Sequence, residues 1–343
     1  MDFITYNEDI EVLHSEVEEK LNALLKNNES IFANTDNMLI YNTYIQLIFV
    51  FASVINEIQN GPPSLSHLEL ARCLASEDVI LTFNWDTLMD RALSQTTNWD
   101  TDNGYLIKPA KVYKDKWIEA TDCNAIDYPI IIKLHGSTNW LTSYLRPDGD
   151  KLKSIQETST DNFYIYESTV MPYSTYEGRF MNGYSEYSYG YYPPNLPLVG
   201  EVISKGHVLL KTTITTKDMP QGTASSKGLV SMPLIIPPVK HKNYSHFGNL
   251  FSQLWNKAEE SLVAADRIII IGYSFPATDT QTDKLFRKAL CQRTNMPDIV
   301  IIDPLPENIS DRFTHDYGIN ESNVTIHKTH FNQDFDVEAL LKS

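Results

Sequence analysis

The sequence predicts an α/β chain organised around a doubly wound, mostly parallel sheet. Two observations carry that expectation: short apolar runs end abruptly in polar residues, and helical patterns lie between several of those runs. Placement is a third, because helical patterns occupy the first sixty residues and an aromatic, polar stretch interrupts the middle of the chain. Apolar runs of four or five residues, bounded by turn signals, read as strands buried on both faces, and their alternation with helices gives a parallel sheet.

Taken in order, Leu13, Val17, Leu21, Leu24 and Leu25 recur at helical spacing, so 8–28 reads as an amphipathic helix. Residues 37–56 hold no charge for twenty positions, long enough in principle to cross a bilayer. Asn42, Thr43 and Gln46 interrupt that run, Asp36 and Glu57 flank it, and no Lys/Arg cluster orients it, so a buried or partner-facing helix is expected and no membrane contact. Gly61-Pro62-Pro63 ends it, and Ser66-His67-Leu68-Glu69 resembles a capping box opening a third helix to about Ala75. Strands follow at 79–83, 130–134, 234–236, 268–271 and 299–302, all assigned to the parallel sheet. Phe251, Leu254, Trp255, Ala258 and Leu262 mark a helix before the fourth strand; Leu285, Phe286, Ala289 and Leu290 mark one after it. Residues 146–228 break the alternation, with nine tyrosines between Tyr164 and Tyr192. They form an insertion, either a lid over a ligand or solvated packing at one end of the sheet. The expected organisation is a helical segment at 1–60 and one α/β domain at 61–343, interrupted by 146–228. A length of 343 residues exceeds the roughly 100–200 of an ordinary domain but suits such a unit.

Composition narrows the function. With 44 acidic residues against 28 Lys plus Arg, the net charge of -16 repels a phosphate backbone, so direct nucleic-acid binding is not expected. Cys73, Cys123 and Cys291 are too few and too scattered for a disulfide framework or a four-ligand zinc site. A reducing cytoplasm is the expected location, since the acidic start lacks the basic and apolar segments of a secretory signal.

In open α/β sheets ligands bind beyond the carboxyl ends of the strands, where loops converge and helix N-termini point inward. Four strands end in polar residues: Asn84-Trp85-Asp86, His135-Gly136-Ser137, Gly272-Tyr273-Ser274 and Asp303-Pro304. Together they suggest one site, although Asp86 and Asp303 each suit the capping of a following helix equally well. His135 suits a proton acceptor if small environmental shifts hold its pKa near neutrality, and otherwise a structural loop contact. Asn84 offers a donor and an acceptor, and Asp86 a negative charge beside a developing cation. Gly272 permits close backbone approach, and Ser274 offers a hydroxyl to a sugar or phosphate.

The runs TFNWD (82–86), KLHGS (133–137) and IIIIGYSFPATD (268–279) resemble the bacterial sirtuin-like family, many of whose members are NAD hydrolases serving as antiphage effectors. The likeness spans about 60–310 and implies a Rossmann-like fold with NAD as substrate. By that resemblance Asn84 and Asp86 look like the nicotinamide-pocket pair, His135 like the catalytic histidine, and Gly272 and Ser274 like a ribose-contacting pair. Thr82, Phe83, Gly136, Ser137 and Tyr273 fall with them on the cofactor side, and Asp303 where the family holds the adenosine end. Three scattered cysteines cannot supply the four-cysteine zinc module of some sirtuins, so no zinc is expected, and the uncharged helix at 37–56 offers an apolar surface for a homo-oligomer or a complex with a sensor subunit. One departure stands out: the family opens with a strand and a glycine-rich loop cradling the pyrophosphate, whereas the first sixty residues here contain no glycine. The start is then lost or replaced, the phosphates are held otherwise, or turnover is gone.

Two other classes compete. A sirtuin-like fold without chemistry, sensing a nucleotide or docking a partner, is consistent with the missing glycines. Ser274, Asp303 and His330 fall in the chain order of an α/β-hydrolase triad, but Pro276 stands where G-x-S-x-G needs its second glycine. The pairs His327/His330 and His241/His246 lack a partner ligand at metal-binding spacing and read as surface histidines.

Overall fold

The computed structural model describes residues 10–27, 29–59, 61–114, 116–122, 126–143, 145–154, 163–167, 231–239, 242, 244–276 and 279–342. Most of the expected insertion, including the tyrosines from Tyr173 to Tyr192, lies outside the described residues.

Among the described residues three helices come first: α1 (Ile10–Lys26), α2 (Thr35–Ile58) and α3 (Leu65–Cys73). Leu13, Val17, Leu21 and Leu25 of α1 are buried at helical spacing, as are Tyr44, Ile45, Leu47, Ile48, Phe49 and Ala52 of α2, and both sets belong to the same hydrophobic core as the strands. The uncharged helix is therefore largely covered within its own chain; Met38 and Leu39 near its start stay exposed beside Phe32. Among the described residues no helix is long and apolar enough to cross a membrane. The N-cap of α3 is not Ser66, which lies inside the helix and is buried, but Ser64. Following Pro63, Ser64 keeps the extended backbone a cap requires, and its Oγ accepts from the His67 amide.

The remaining order is β1 (Val79–Thr82), α4 (Leu88–Thr96), β2 (Lys111–Lys114), β3 (Lys116–Glu119), β4 (Ile130–Lys133), β5 (Gly136–Ser143), β6 (Leu145–Asp148), β7 (Lys151–Ser154), β8 (Tyr164–Glu167), β9 (Ser231–Ile235), α5 (Leu250–Ala264), β10 (Arg267–Ile271), α6 (Thr280–Cys291), β11 (Asp298–Ile302), α7 (Glu307–Asp311), β12 (Val324–His327) and α8 (Val337–Lys342). The architecture is mixed α/β. Among the described residues β1 pairs parallel with β4 and β10-β11-β12 form a parallel sheet, and four of the expected strands lie in these two pieces in order; β2 and β8 also pair parallel, in a separate mixed sheet.

The fifth does not. The run at 234–236 belongs to β9, which pairs antiparallel with β5 at the edge of a separate five-stranded sheet, β3-β2-β8-β5-β9. The chain leaves the parallel sheet at Gly136, with φ +79, and β5 then runs against β9, where Ile236 donates to the His135 carbonyl. An apolar run is silent about strand direction, so the sequence alone could not separate the two sheets.

A Cβ on Gly136 would lie 2.1 Å from the Leu234 carbonyl oxygen, a backbone atom held in the β5–β9 ladder. Gly272, at φ +62, has nothing within 4 Å of the same position. Gly272→Ala should therefore cost only the roughly 1–2 kcal/mol of a left-handed backbone, while Gly136→Ala adds a backbone collision to that cost. Urea denaturation of both variants tests this, and equal losses would show that the β9 contact yields freely.

Candidate functional site

The carboxyl ends of β1, β4 and β10 meet at an aromatic cluster. Phe83, the residue after β1, stacks on Tyr273 with ring centroids 4.4 Å apart, and lies 5.4 Å from His135. Trp255 from α5 and Tyr244 close around the histidine, each with a centroid 6.4 Å away. Such rings suit this position because each brings an apolar body with a polar atom at its tip.

His135 sits two residues beyond β4 and is only 5% exposed. Its Nε2 lies 3.9 Å from Asp279 Oδ2, too long for a hydrogen bond, and has no partner among the described residues. The ring also carries a hydrogen bond with the Phe83 backbone. With Nδ1–H donating to that carbonyl, a neutral ring keeps the Nε2 lone pair available as a base. Burial pushes the histidine down to about 4; the Asp279 charge opposes this and Lys242 adds to it. The ring is thus uncharged at neutral pH, further from neutrality than the sequence expectation.

Asp279 was not among the residues singled out, although it closes the third run. It stands at the N-cap position of α6, yet its side chain makes no capping bond there. Oδ2 instead accepts from the Tyr273 hydroxyl at 2.8 Å, and Oδ1 faces Lys242 at 3.7 Å. Four buried polar atoms converge here without a hydrogen-bond partner among the described residues: His135 Nε2, Asp279 Oδ1, Tyr244 Oη and Trp255 Nε1. Buried polar groups are normally paired, so such a concentration marks a place prepared for something polar. Tyr244 and Tyr273 are both held far above their ordinary range by burial, and stay protonated donors. Trp255 and Tyr244 carry no sequence signal that separates them from ordinary core aromatics; a helical cap residue that does not cap is visible only in three dimensions.

The other expected residues divide. Ser137 is completely buried, and its hydroxyl donates to the Trp85 carbonyl, while the Trp85 indole donates to Ile236. Asn84 is exposed, its amide donating to Thr82 Oγ1. Asp86 accepts from the Leu88 amide at 2.9 Å, at the start of α4, and its carbonyl accepts from the buried Lys133. Asp303 accepts from the Leu305 amide at 2.7 Å. No hydrogen bond or ring contact joins Asn84, Asp86, Ser274 or Asp303 to His135 among the described residues. Ser274 is exposed on the rim of an open cleft shared with Asn308, Arg312 and His315, and a second cleft of ≈ 360 Å³ reaches Asp279 along Asp283, Arg287 and Arg312. His135 lines neither cleft.

Beside Ser274 the backbone is strained, but at Phe275, with φ +51 and a buried ring packed on Tyr273, Phe286 and Phe313. No hydrogen bond links Ser274, Asp303 and His330 among the described residues, and His330 is exposed. Among those residues no three His, Cys, Asp or Glu side chains converge as a metal-binding group. The chain matches no protein-family model and no curated protein.

Proposed function

We propose that the chain is an NAD hydrolase releasing nicotinamide and ADP-ribose, acting as the effector subunit of a prokaryotic antiphage defence system. What supports the chemistry is the buried, uncharged His135, whose free Nε2 faces Asp279 within a wall formed by Phe83, Tyr273, Tyr244 and Trp255. A planar cation such as the pyridinium of NAD gains about 0.5–2 kcal/mol from an aromatic face. Water attacks the ribose carbon as its bond to the pyridinium nitrogen breaks. The bond electrons return to the ring, nicotinamide leaves neutral, and the water proton passes to His135 Nε2. Asp279 then faces an imidazolium and stabilises it.

In this reading Asn84 orients the ribose or the water, and Asp86 supports the developing positive charge. Thr82, Phe83, Gly136 and Ser137 shape the nicotinamide side, while Gly272, Tyr273, Ser274 and Asp303 hold the adenosine half. His135 and Asp279 are each only 5% exposed, so a dinucleotide reaches them after the aromatic wall parts. Assembly as a homo-oligomer, or with a sensor subunit, supplies that opening. The same closure favours the second reading, a module that binds a nucleotide or partner without chemistry.

The test is nicotinamide release from NAD, measured by chromatography with the chain alone and with the products of neighbouring genes. His135→Ala should lower the rate by about 10²–10⁴, the usual effect of losing a positioned base. Wild-type turnover in that variant would overturn the assignment. NAD binding by calorimetry without nicotinamide release in any combination would select the binding module instead.

A further inference from the structure

The four buried polar atoms that meet beyond β1, β4 and β10 have hydrogen-bonding roles that can be counted. Trp255 Nε1 donates and cannot accept, and the Tyr244 hydroxyl, kept protonated by burial, is a second donor. Asp279 Oδ1 is an acceptor, and so is His135 Nε2 in an uncharged ring whose other nitrogen is engaged at the Phe83 backbone. None of the four has a hydrogen-bond partner among the described residues. A buried indole or phenol ordinarily finds a partner for its polar tip, because the water it gives up has to be replaced. Trp255 is only half-buried on α5, yet the atom held out of water is its Nε1.

Rings enclose these atoms. The Tyr244 ring lies 5.7 Å from that of Trp255 and 6.4 Å from that of His135, and the Phe83 ring, stacked on Tyr273, lies 6.4 Å from Trp255. The Asp279 charge helps to raise Tyr244, so carboxylate and phenol are neighbours. A group suited to such a wall is flat, apolar on its faces and polar in its plane. Asp279 Oδ2 already accepts from the Tyr273 hydroxyl and faces His135, which leaves Oδ1 for a ligand. Lys242, 3.7 Å from Oδ1, balances the charge of Asp279, and a carboxylate brought here would add a negative charge with no match. Two neutral donors suit the two lone pairs of one carbonyl oxygen, and an anionic acceptor beside them suits an N–H.

We infer that Trp255, Tyr244 and Asp279 form a recognition site for an uncharged primary carboxamide carried on an aromatic ring. Trp255 Nε1 and Tyr244 Oη donate to the carbonyl oxygen, and the amide nitrogen donates to Asp279 Oδ1. The count then closes with His135 Nε2 left over, as a proton acceptor requires. The corresponding acid is rejected because its carboxylate has no hydrogen for Oδ1 and sets like charge against it. The identification of the ring as nicotinamide rests on the NAD reading above; on that reading these three side chains select it over nicotinate.

Solution NMR on the intact chain with isotope-labelled tryptophan tests this, with benzamide and benzoate as probes. Of the five tryptophans, Trp255 is identified by the indole signal that Trp255→Phe removes. Benzamide at millimolar concentration should move that signal saturably, and benzoate should bind at least about a hundredfold more weakly. Tyr244→Phe should weaken benzamide about tenfold. Its urea midpoint should be unchanged or higher, because the lost hydroxyl has no partner to strand. Equal binding of the two probes, no response to either, or undiminished benzamide binding in Tyr244→Phe would each overturn the inference. The NAD reading fails separately. Amide-selective binding without nicotinamide release in any combination would keep this site and remove the hydrolase, whereas release with equal kcat/KM for NAD and its nicotinate analogue would keep the hydrolase and remove the site.

Discussion

Lys133→Ala should lower the unfolding free energy by about 3–5 kcal/mol, the usual consequence of leaving one member of a buried ion pair alone. Lys133 is the last residue of β4 and only 1% exposed. Its Nζ lies 3.1 Å from Asp90 Oδ2 on α4, a carboxylate that is itself buried, and it also donates to the Asp86 carbonyl. Asp90 accepts a further hydrogen bond from Tyr105, whose hydroxyl accepts in turn from Asn139 at 3.4 Å. Burial and the Asp90 charge hold Tyr105 far above its ordinary range, so it stays a donor. Removing the ammonium strands Asp90 and frees the loop that carries Asn84 and Asp86. Lys133→Met/Asp90→Asn, which removes both charges and keeps a partner for Tyr105, should recover about 1–3 kcal/mol relative to the sum of the single changes. Strict additivity in denaturant melts would mean that the two side chains do not act as a pair.

That network also shows what the sequence does and does not disclose. Buried parallel strands were readable because apolar residues at four consecutive positions leave few alternatives, and β1, β4, β10 and β11 fall where such runs do. A lysine closing one of those runs is itself a signal, since Lys is almost never fully buried unless paired, but the partner Asp90 lies forty-three residues earlier on another element. The strands β2, β3 and β8 carry charges and tyrosines and were not distinguishable from loop, because they sit in a sheet with a different partner set. His135 was identified from its place at a strand end. Asp279 was hidden by the commoner role of an aspartate before a helix, and only its distance to His135 and its bond with Tyr273 separate the two uses. Asp86 and Asp303 each accept a hydrogen bond from an amide two residues on, although Thr87 and Pro306 hold the N-cap positions of the helices that follow.

The chain should lose stability steeply as the pH falls from 6.5 toward 4. Three histidines are buried, and of these only His135 has a carboxylate among the described residues, Asp279, close enough to favour its proton, without outweighing burial. Burial lowers His14 from 6.5 to about 3, His135 to about 4 and His246 to about 4. His14 is completely buried between Tyr44 and Phe51, with neither ring nitrogen hydrogen-bonded among the described residues. For each histidine the folded pKa lies below the unfolded one, so the unfolded chain takes up a proton that the fold refuses. Their contribution is complete above pH 6.5 and is lost progressively down to the folded values. Glu18 opposes this: burial raises it from 4.5 to about 7, against a hydrogen bond from Tyr44 and with a smaller push from Glu19. Its contribution is present below 4.5 and is lost as the pH rises through 7. Among these four groups the balance between 4.5 and 6.5 is three protons favouring the unfolded chain against one favouring the fold, and His67, also lowered by burial, adds in the same direction. At about 1.4 kcal/mol per pH unit for each proton, the net slope is roughly 2–3 kcal/mol per unit, against a total stability of about 5–15 kcal/mol. Urea denaturation at half-unit steps from pH 8 to 4.5 measures the slope directly. His14→Phe should flatten it by about one proton, and Glu18→Gln should steepen it. A stability independent of pH across that range would show that the folded and unfolded chain bind the same number of protons, and so that burial does not keep these histidines neutral in the fold.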